Sequence, residues 1–517
     1  MVRLFESDLG NGEFTNPVLF ADYSDPDVIR VDDTYIMTAS SFNYIPGLPI
    51  LISKDLINWE LVNYALKKIP YDNYAVPQHS KGVWAPAIRF HNNRFYIYYG
   101  MPDEGIFMVS TDDPYGNWDE PVCVLEGKGL IDSCPFWDED GKAYIIHGYA
   151  KSRIGFKSCL GIFEMSSDGK KAITEDHILF DGSVTEPTIE GPKVYKRNGK
   201  FYILAPAGGV KQGWQVALRS ENIYGPYEEK KVLEQKDTIV NGPHQGALVD
   251  TLNHEEWFVH FQNRGLYGRI IHIQPVTWID EWPCMGVDIK DYCGKPLIKG
   301  KKPDTGFNQT PVYLEASDNF DNKKISLQWQ WMGNASDDFF SLTEREGYLR
   351  LYSKSPAALE NPILWDCSNV LTEKIICPEF KCETKLYYSE LRENEKAGLV
   401  MMGGEYAFGA VKRMGEDFYF IYGVSKEEKG YKTEIIRHSG KLDKENSDKE
   451  DLEIRLSCSL ENKDGRVIFK MFKDDELINE SLEFVPSDHT WVGAKLGLFS
   501  VGSKGYADFE YFKAESI

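Results

Sequence analysis

The sequence predicts an all-β chain. It divides into a five-bladed β-propeller over residues 1–295, a linker over 296–312 and a β-sandwich of jelly-roll or concanavalin-like type over 313–517. Three observations carry this. A hairpin pattern recurs five times in the first half. No helical periodicity lies between the copies. After Trp278 the character changes to a basic, Pro/Gly-containing stretch and then to short alternating runs.

The repeated unit is a pair of turn residues, an aromatic residue, then alternating apolar positions. Its copies are Asp32-Asp33-Thr34-Tyr35, Asn92-Asn93-Arg94-Phe95-Tyr96, Asp140-Gly141-Lys142-Ala143-Tyr144 and Asn198-Gly199-Lys200-Phe201-Tyr202, with a weaker Asn253-His254-Glu255-Glu256-Trp257. Asp-Gly and Asn-Gly between apolar runs are strong hairpin signals, because both turn positions must accept positive φ. The aligned aromatics Tyr35, Tyr96, Tyr144, Tyr202 and Trp257 are spaced 61, 48, 58 and 55 residues apart by subtraction. A period near fifty with one hairpin per unit is the signature of propeller blades, which must close into a ring to bury their faces. The stretch Lys295-Pro296-Leu297-Ile298-Lys299-Gly300-Lys301-Lys302-Pro303 reads as the linker. Ile325–Trp331, Leu349–Tyr352, Leu399–Met402 and Val467–Phe472 then read as sandwich strands, and the charged run Lys441–Asp451 as a solvated loop.

Composition narrows the partners. Lys plus Arg is 58 and Asp plus Glu is 80, a net charge of −22. So acidic a surface repels phosphate backbones and anionic membranes, which argues against a nucleic-acid or membrane partner and favours a neutral ligand. Aromatics reach 13%. A β-rich core accounts for that, and sugar rings packing on aromatic faces are the sharper reading. The start, Met1-Val2-Arg3-Leu4-Phe5-Glu6, shows no basic segment followed by an apolar run. The nine cysteines are scattered, with no CxxC pair. Reduced thiols in a cytoplasmic protein are the expectation.

The innermost strand of each blade lines the central channel. Upstream of each aligned aromatic, by 10 (Asp25 to Tyr35) to 13 (His244 to Trp257) residues, stands a polar or aromatic residue near a proline. These are Asp25, Trp84, Asp132, Glu190 and His244, one per blade. Each has an ordinary explanation alone: an Asp-Pro turn, a core Trp, a strand cap, a surface carboxylate, a core His. Shared register in a closed ring instead brings all five to one end of the axis. Three converging carboxylates suit acid/base cleavage of a glycosidic bond, with one acid, one base and a third that raises the acid's pKa. A metal cluster is the rival use of such groups, although Asp22, Asp25 and Asp27 lack the spacing of an EF-hand loop.

At these residues the sequence resembles glycoside hydrolase family 43, the β-xylosidase and α-L-arabinofuranosidase family. The matching segments are Asn16-Pro17-Val18-Leu19, Ser24-Asp25-Pro26-Asp27, Ser41–Pro49, Trp84-Ala85-Pro86, Ile131-Asp132, Glu190-Gly191-Pro192, Gly242-Pro243-His244-Gln245-Gly246, Gly268-Arg269 and Gln274–Trp278. The second half looks like the lectin-like sandwich appended to many members. The resemblance implies Asp25 as general base, Glu190 as general acid and Asp132 as the residue that orients Glu190 and raises its pKa. It implies inversion, with base and acid about 6.5–9.5 Å apart to admit a water. It implies Arg269 on the terminal sugar, Phe42 and Trp84 as pocket walls, and His244 beneath the site. In many relatives that histidine faces a calcium ion or water in the channel, so the implied metal is at most a structural calcium reached from His244 through water, with no cofactor required. Ser133-Cys134-Pro135 stands where many relatives have Asp-Pro-Ser.

The expected activity is exo-removal of terminal β-D-xylosyl residues, α-L-arabinofuranosyl residues, or both, from hemicellulose oligosaccharides, as in xylan degradation. A sandwich loop is expected to help close a blind pocket. A mainly arabinofuranosidase activity and a non-catalytic glycan-binding propeller are the alternatives. A retaining fructosidase on the related fold would carry an Arg-Asp-Pro segment, which is absent.

Overall fold

A computed structural model describes residues 4–307, 309–357, 359, 362–442, 452–461 and 465–517. Four four-stranded antiparallel sheets and one of six strands succeed one another along the first half, and the first four strands of each are antiparallel and ordered as they occur in the chain. Their inner strands are Asp27–Val31, Trp84–His91, Leu130–Trp137, Lys193–Arg197 and His244–Asp250. These are the five blades. The turn chemistry behaves as the sequence predicts: Asp32, Asn92, Asn93, Asn198, Gly199 and Gly141 all take positive φ, the backbone that a tight hairpin of matching twist requires.

Ring closure uses the N-terminal segment. Val18 N–H donates to the Ile271 carbonyl (2.8 Å), and Ile271 N–H returns a bond to Leu19 (3.0 Å). Asn16 Nδ2 donates to the carbonyls of Ile273 and Leu297, both at 2.8 Å. The expected linker is partly ordered as a strand, because Lys299–Lys301 pairs antiparallel with Glu13–Thr15. Val287–Lys290 and Cys293–Lys295 extend the outer edge of blade 4, through a parallel step at Leu233 and Gly294.

Among the described residues the second half is a sandwich of two seven-stranded sheets. Ile325–Trp331 is a correction. Only Gln330–Trp331 is a strand, since the chain first turns where Trp329 N–H donates to Ser326 (3.2 Å) and Trp329 Nε1 is drawn to Asp318 (3.0 Å). The run Lys441–Asp451 lies, from residue 443 on, outside the described residues. The sandwich has its own buried core, including Leu349, Leu399, Phe469 and Phe509.

One sandwich sheet is packed on the propeller. A shared cluster joins Phe42, Tyr44, Trp84 and Ile131 of the propeller to Met332, Val400, Phe408 and Val492 of the sandwich. Directional bonds fix that contact. Ile45 and Trp331 bridge as a β-pair, Asn43 Nδ2 donates to the Met332 carbonyl (2.7 Å), and Ser368 Oγ donates to Ala75 (2.6 Å). The propeller residues in this contact include Phe42 and Trp84, so the sandwich covers the end of the channel where the register residues gather.

Candidate active site

The five register residues reach one end of the axis by one local device. A residue of positive φ lies at, or one position after, each of them: Asp25 (φ 54), Ala85 (34), Asp132 (57), Gly191 (57) and Gln245 (23). In blades 2, 3 and 5 this coincides with a register shift in the inner strand, between Trp84 and Ala87, Ile131 and Cys134, and His244 and Gly246. Such bulges re-aim a side chain at the cost of a ladder bond. Gly246 is required here, because a Cβ would meet the Val259 carbonyl oxygen at 1.7 Å.

Asp25 is buried and fully engaged. Its Oδ1 accepts from Arg269 Nη1 (2.8 Å), and its Oδ2 accepts from the hydroxyls of Ser24 and Ser40 (2.7 Å each). Ser40 Oγ in turn accepts from the Ala85 N–H (2.7 Å), tying blade 1 to blade 2.

Asp132 is only 4% exposed. Its Oδ2 accepts from the Gly191 N–H at 2.8 Å, which holds the backbone beside Glu190. Burial first, then the negative charges of Glu190 and Asp25, push its pKa up from 3.8 to about 8. A Cβ on Gly148 would lie in ordinary contact with both, 3.5 Å from Asp132 Oδ2 and 3.7 Å from the Glu190 Cα, so the strand at Gly148 runs beside the two carboxylates.

Glu190 is partly exposed, and its Oε1 bonds to His244 Nε2 (2.9 Å). Phe42 and Trp84 stand 6.5 Å apart, and the Arg153 guanidinium lies 5.2 Å from the Trp84 ring centre. All seven residues singled out in the sequence therefore occur around one end of the channel. Asp22, Asp25 and Asp27 do not form a metal loop. Asp22 accepts from the Arg269 and Gly493 N–H groups (2.9 Å each), and Asp27 pairs with Arg89 (2.7 Å).

Below the carboxylates the channel is filled. Arg89 reaches Asp27 and also donates to Cys134 Sγ (2.9 Å), while Lys193 Nζ donates to the Pro86 carbonyl (3.3 Å). Cys134 of the unusual Ser-Cys-Pro segment thus supplies an acceptor inside this plug. All nine cysteines are free thiols.

Sequence reasoning missed Trp491. It sits in a sandwich turn closed by reciprocal bonds between His489 and Val492, with φ 69. Its ring meets Trp84 edge-on, with centroids 4.6 Å apart. The turn is tied to the propeller where Gly493 N–H donates to Asp22 and Ala494 N–H to Leu266 (2.7 Å). His79, Trp365 and His489 pack beside it, with His79 stacked on Trp365 at 3.5 Å. No propeller repeat could reveal a residue from the other half of the chain.

A calcium ion fits these donors poorly. His244 Nδ1 is buried without a partner among the described residues, but no three His, Cys, Asp or Glu side chains there form a metal-holding group. Calcium wants six to eight oxygens, so one imidazole could meet such an ion only through its water shell.

Comparison with known proteins follows the same division of the chain. Residues 14–283 match the family model for glycosyl hydrolases family 43, and residues 317–515 match the β-xylosidase C-terminal concanavalin A-like domain. A protein of Xylanibacter ruminicola is 38% identical over 398 residues, 77% of this chain and 72% of its own. A β-xylosidase of Formosa agariphila is 32% identical over 560 residues, covering 98% of this chain and 90% of its own. A non-reducing-end α-L-arabinofuranosidase of Bacteroides ovatus is 29% identical over 415 residues, 76% of this chain and 74% of its own. Among solved structures, a point mutant of the family 43 protein BlXynB of Bacillus licheniformis superposes with a TM-score of 0.82 at 25% identity, covering 98% of this chain and all of its own. With both halves matched in order, the chain belongs to glycosyl hydrolase family 43.

Proposed function

We propose that the protein is an inverting exo-glycosidase that removes terminal β-D-xylosyl residues, and α-L-arabinofuranosyl residues to a lesser degree, from hemicellulose oligosaccharides. One observation carries this reading. Two carboxylates in unlike surroundings, one buried and one partly exposed, lie beside a third that is buried near both. Asp25 is bonded by Arg269 and two hydroxyls, while Glu190 is partly exposed on His244 and adjoins Asp132, whose pKa burial and nearby carboxylates push up.

In this mechanism Asp25 takes a proton from a water, and that water attacks the anomeric carbon. Glu190 gives its proton to the departing glycosidic oxygen. The bond from water oxygen to carbon forms as the old carbon–oxygen bond breaks on the opposite face, so configuration inverts. Asp132 acts through Glu190: burial disfavours a second negative charge beside it, so the two carboxyls hold one proton as a coupled pair. His244 fixes the Glu190 carboxyl. Trp84, Phe42 and Trp491 wall the subsite, and Trp84 Nε1 and Arg269 Nε are buried beside it without a partner among the described residues. The sandwich turn sets Trp491 against Trp84, an added wall that supports exo action. No step uses a metal. The names of the relatives above support both pentoses.

The test is parallel assay on p-nitrophenyl β-D-xyloside and α-L-arabinofuranoside, with NMR of the first-formed anomer. Asp25→Asn and Glu190→Gln should each lower kcat by about 10²–10⁴. Retention of configuration, or turnover surviving both substitutions, would refute the assignment.

A further inference from the structure

The far end of the channel carries a second hollow that the reaction does not use. It has a volume of about 550 Å³, within the usual range for small-molecule sites. Each blade contributes to it in register. Arg30, Phe90, Trp137, Lys196 and Asp250 line it, and they lie five or six residues beyond Asp25, Trp84, Asp132, Glu190 and His244 along the same inner strands. At about 3.3 Å per residue that places the hollow roughly 15–20 Å from the catalytic end. The Arg89–Asp27–Cys134 plug lies between the two mouths.

Its lining identifies the kind of ligand. Rings from four blades face it, among them Phe90, which is 41% exposed, and the partly exposed Trp137 and Trp278. Trp137 is braced by His91, stacked at 4.6 Å and 10°. The Arg197 guanidinium braces Trp278 at 4.3 Å. The charges balance: Arg30, Arg89, Lys196 and Arg197 line the hollow with Asp138, Glu139, Asp250 and Glu256, four of each sign. Arg30 pairs with Asp250, Arg197 with Glu256, and Lys196 with Asp138 (2.5 Å) and Glu139 (3.1 Å). A phosphate or metal ion would find no surplus charge of either sign here. Aromatic faces rimmed by neutralised donor–acceptor pairs match a neutral polyhydroxylated chain, whose apolar ring faces pack on aromatics while its hydroxyls reach the paired carboxylates and guanidinium groups.

We propose that this hollow is a second carbohydrate-binding site that holds an internal segment of a xylan-type chain, separate from the pocket that takes the chain end. The choice of xylan rests on the function proposed above; the polyhydroxylated ligand class rests on the lining. Such a site would raise residence on long substrates without touching the chemistry.

The test is native gel electrophoresis of the Glu190→Gln enzyme through soluble arabinoxylan, with β-glucan gels for comparison. Added Trp137→Ala or Phe90→Ala should weaken retardation by arabinoxylan at least about threefold, the scale of one lost ring contact. The same substitutions in the otherwise unaltered enzyme should leave kcat/KM on p-nitrophenyl β-D-xyloside within about twofold. Unchanged retardation in both variants, no retardation of the parent, or retardation by β-glucan alone would overturn the proposal. Should Trp137→Ala lose activity through misfolding, the exposed Phe90 decides the matter. Hydrolysis of the small substrate stands or falls separately, so failure of this site is distinguishable from failure of the proposed reaction.

Discussion

Replacing Asp132 by asparagine should stabilise the protein while slowing it. The carboxyl is buried and carries a pKa raised from 3.8 to about 8 by burial and by the charges of Glu190 and Asp25. The folded state therefore binds more protons than the unfolded chain throughout that window, and stability falls as pH rises through it. The favourable contribution is complete below about pH 4 and is lost by about pH 8. Each pH unit is worth about 1.4 kcal/mol, so the upper bound is about 4 kcal/mol at pH 7 and about 6 kcal/mol above pH 8. Glu190 and Asp25 share the strain, so about half of that is the expected return. Asparagine keeps an oxygen for the Gly191 N–H bond now made by Oδ2, and it cannot ionise. The thermal midpoint of Asp132→Asn should match that of the parent near pH 4 and exceed it by about 4 °C or more at pH 8, at about 2 °C per kcal/mol for a domain of this size. Differential scanning calorimetry across that range reads it. A difference independent of pH, or a variant less stable at pH 8, would show that Asp132 is not a carboxyl forced to hold its proton.

Other consequences follow from the same contacts. Trp491→Ala should raise KM on p-nitrophenyl β-D-xyloside about 3–10-fold with a smaller change in kcat, since an aromatic pair is worth about 0.5–1.5 kcal/mol; steady-state kinetics checks it. Arg89→Met leaves Asp27 buried and unpaired, and should cost about 3–5 kcal/mol in denaturant unfolding.

The blades were legible because their information is local. Asn198-Gly199 or Asn92-Asn93 between apolar runs dictates a hairpin wherever it occurs, and the structure obeys with positive φ at each. The convergence of Asp25, Asp132 and Glu190 was legible because a closed ring turns equal register into proximity. Three things were not. Lys299–Lys301 pairs with Glu13–Thr15, a match between segments almost three hundred residues apart that neither announces. Ile325–Trp331 alternates like a strand, yet the bond from Trp329 Nε1 to Asp318 holds most of it in a turn. Trp491 occupies an ordinary polar turn whose importance comes only from where the sandwich docks.

That docking explains why a second domain accompanies a propeller that already carries every ionisable group the reaction needs. Asp25 and Asp132 are held by propeller groups: Gly191 N–H on Asp132, and Arg269, Ser24 and Ser40 on Asp25. The sandwich adds no proton donor to them. It adds Trp491 against Trp84, and it fastens the turn bearing that ring to Asp22, whose other oxygen accepts from the backbone N–H of Arg269. One aspartate thus joins the wall of the sugar pocket to the residue that grips Asp25. Asp22→Asn would keep both acceptor geometries only if the amide oxygen could serve two N–H donors at once, which it cannot do from opposite sides. KM should therefore rise as the Trp491 wall loosens, and kcat should fall as Arg269 shifts. Trp491→Ala should move KM far more than kcat. If Asp22→Asn moved only KM, Asp22 would hold the wall and nothing else.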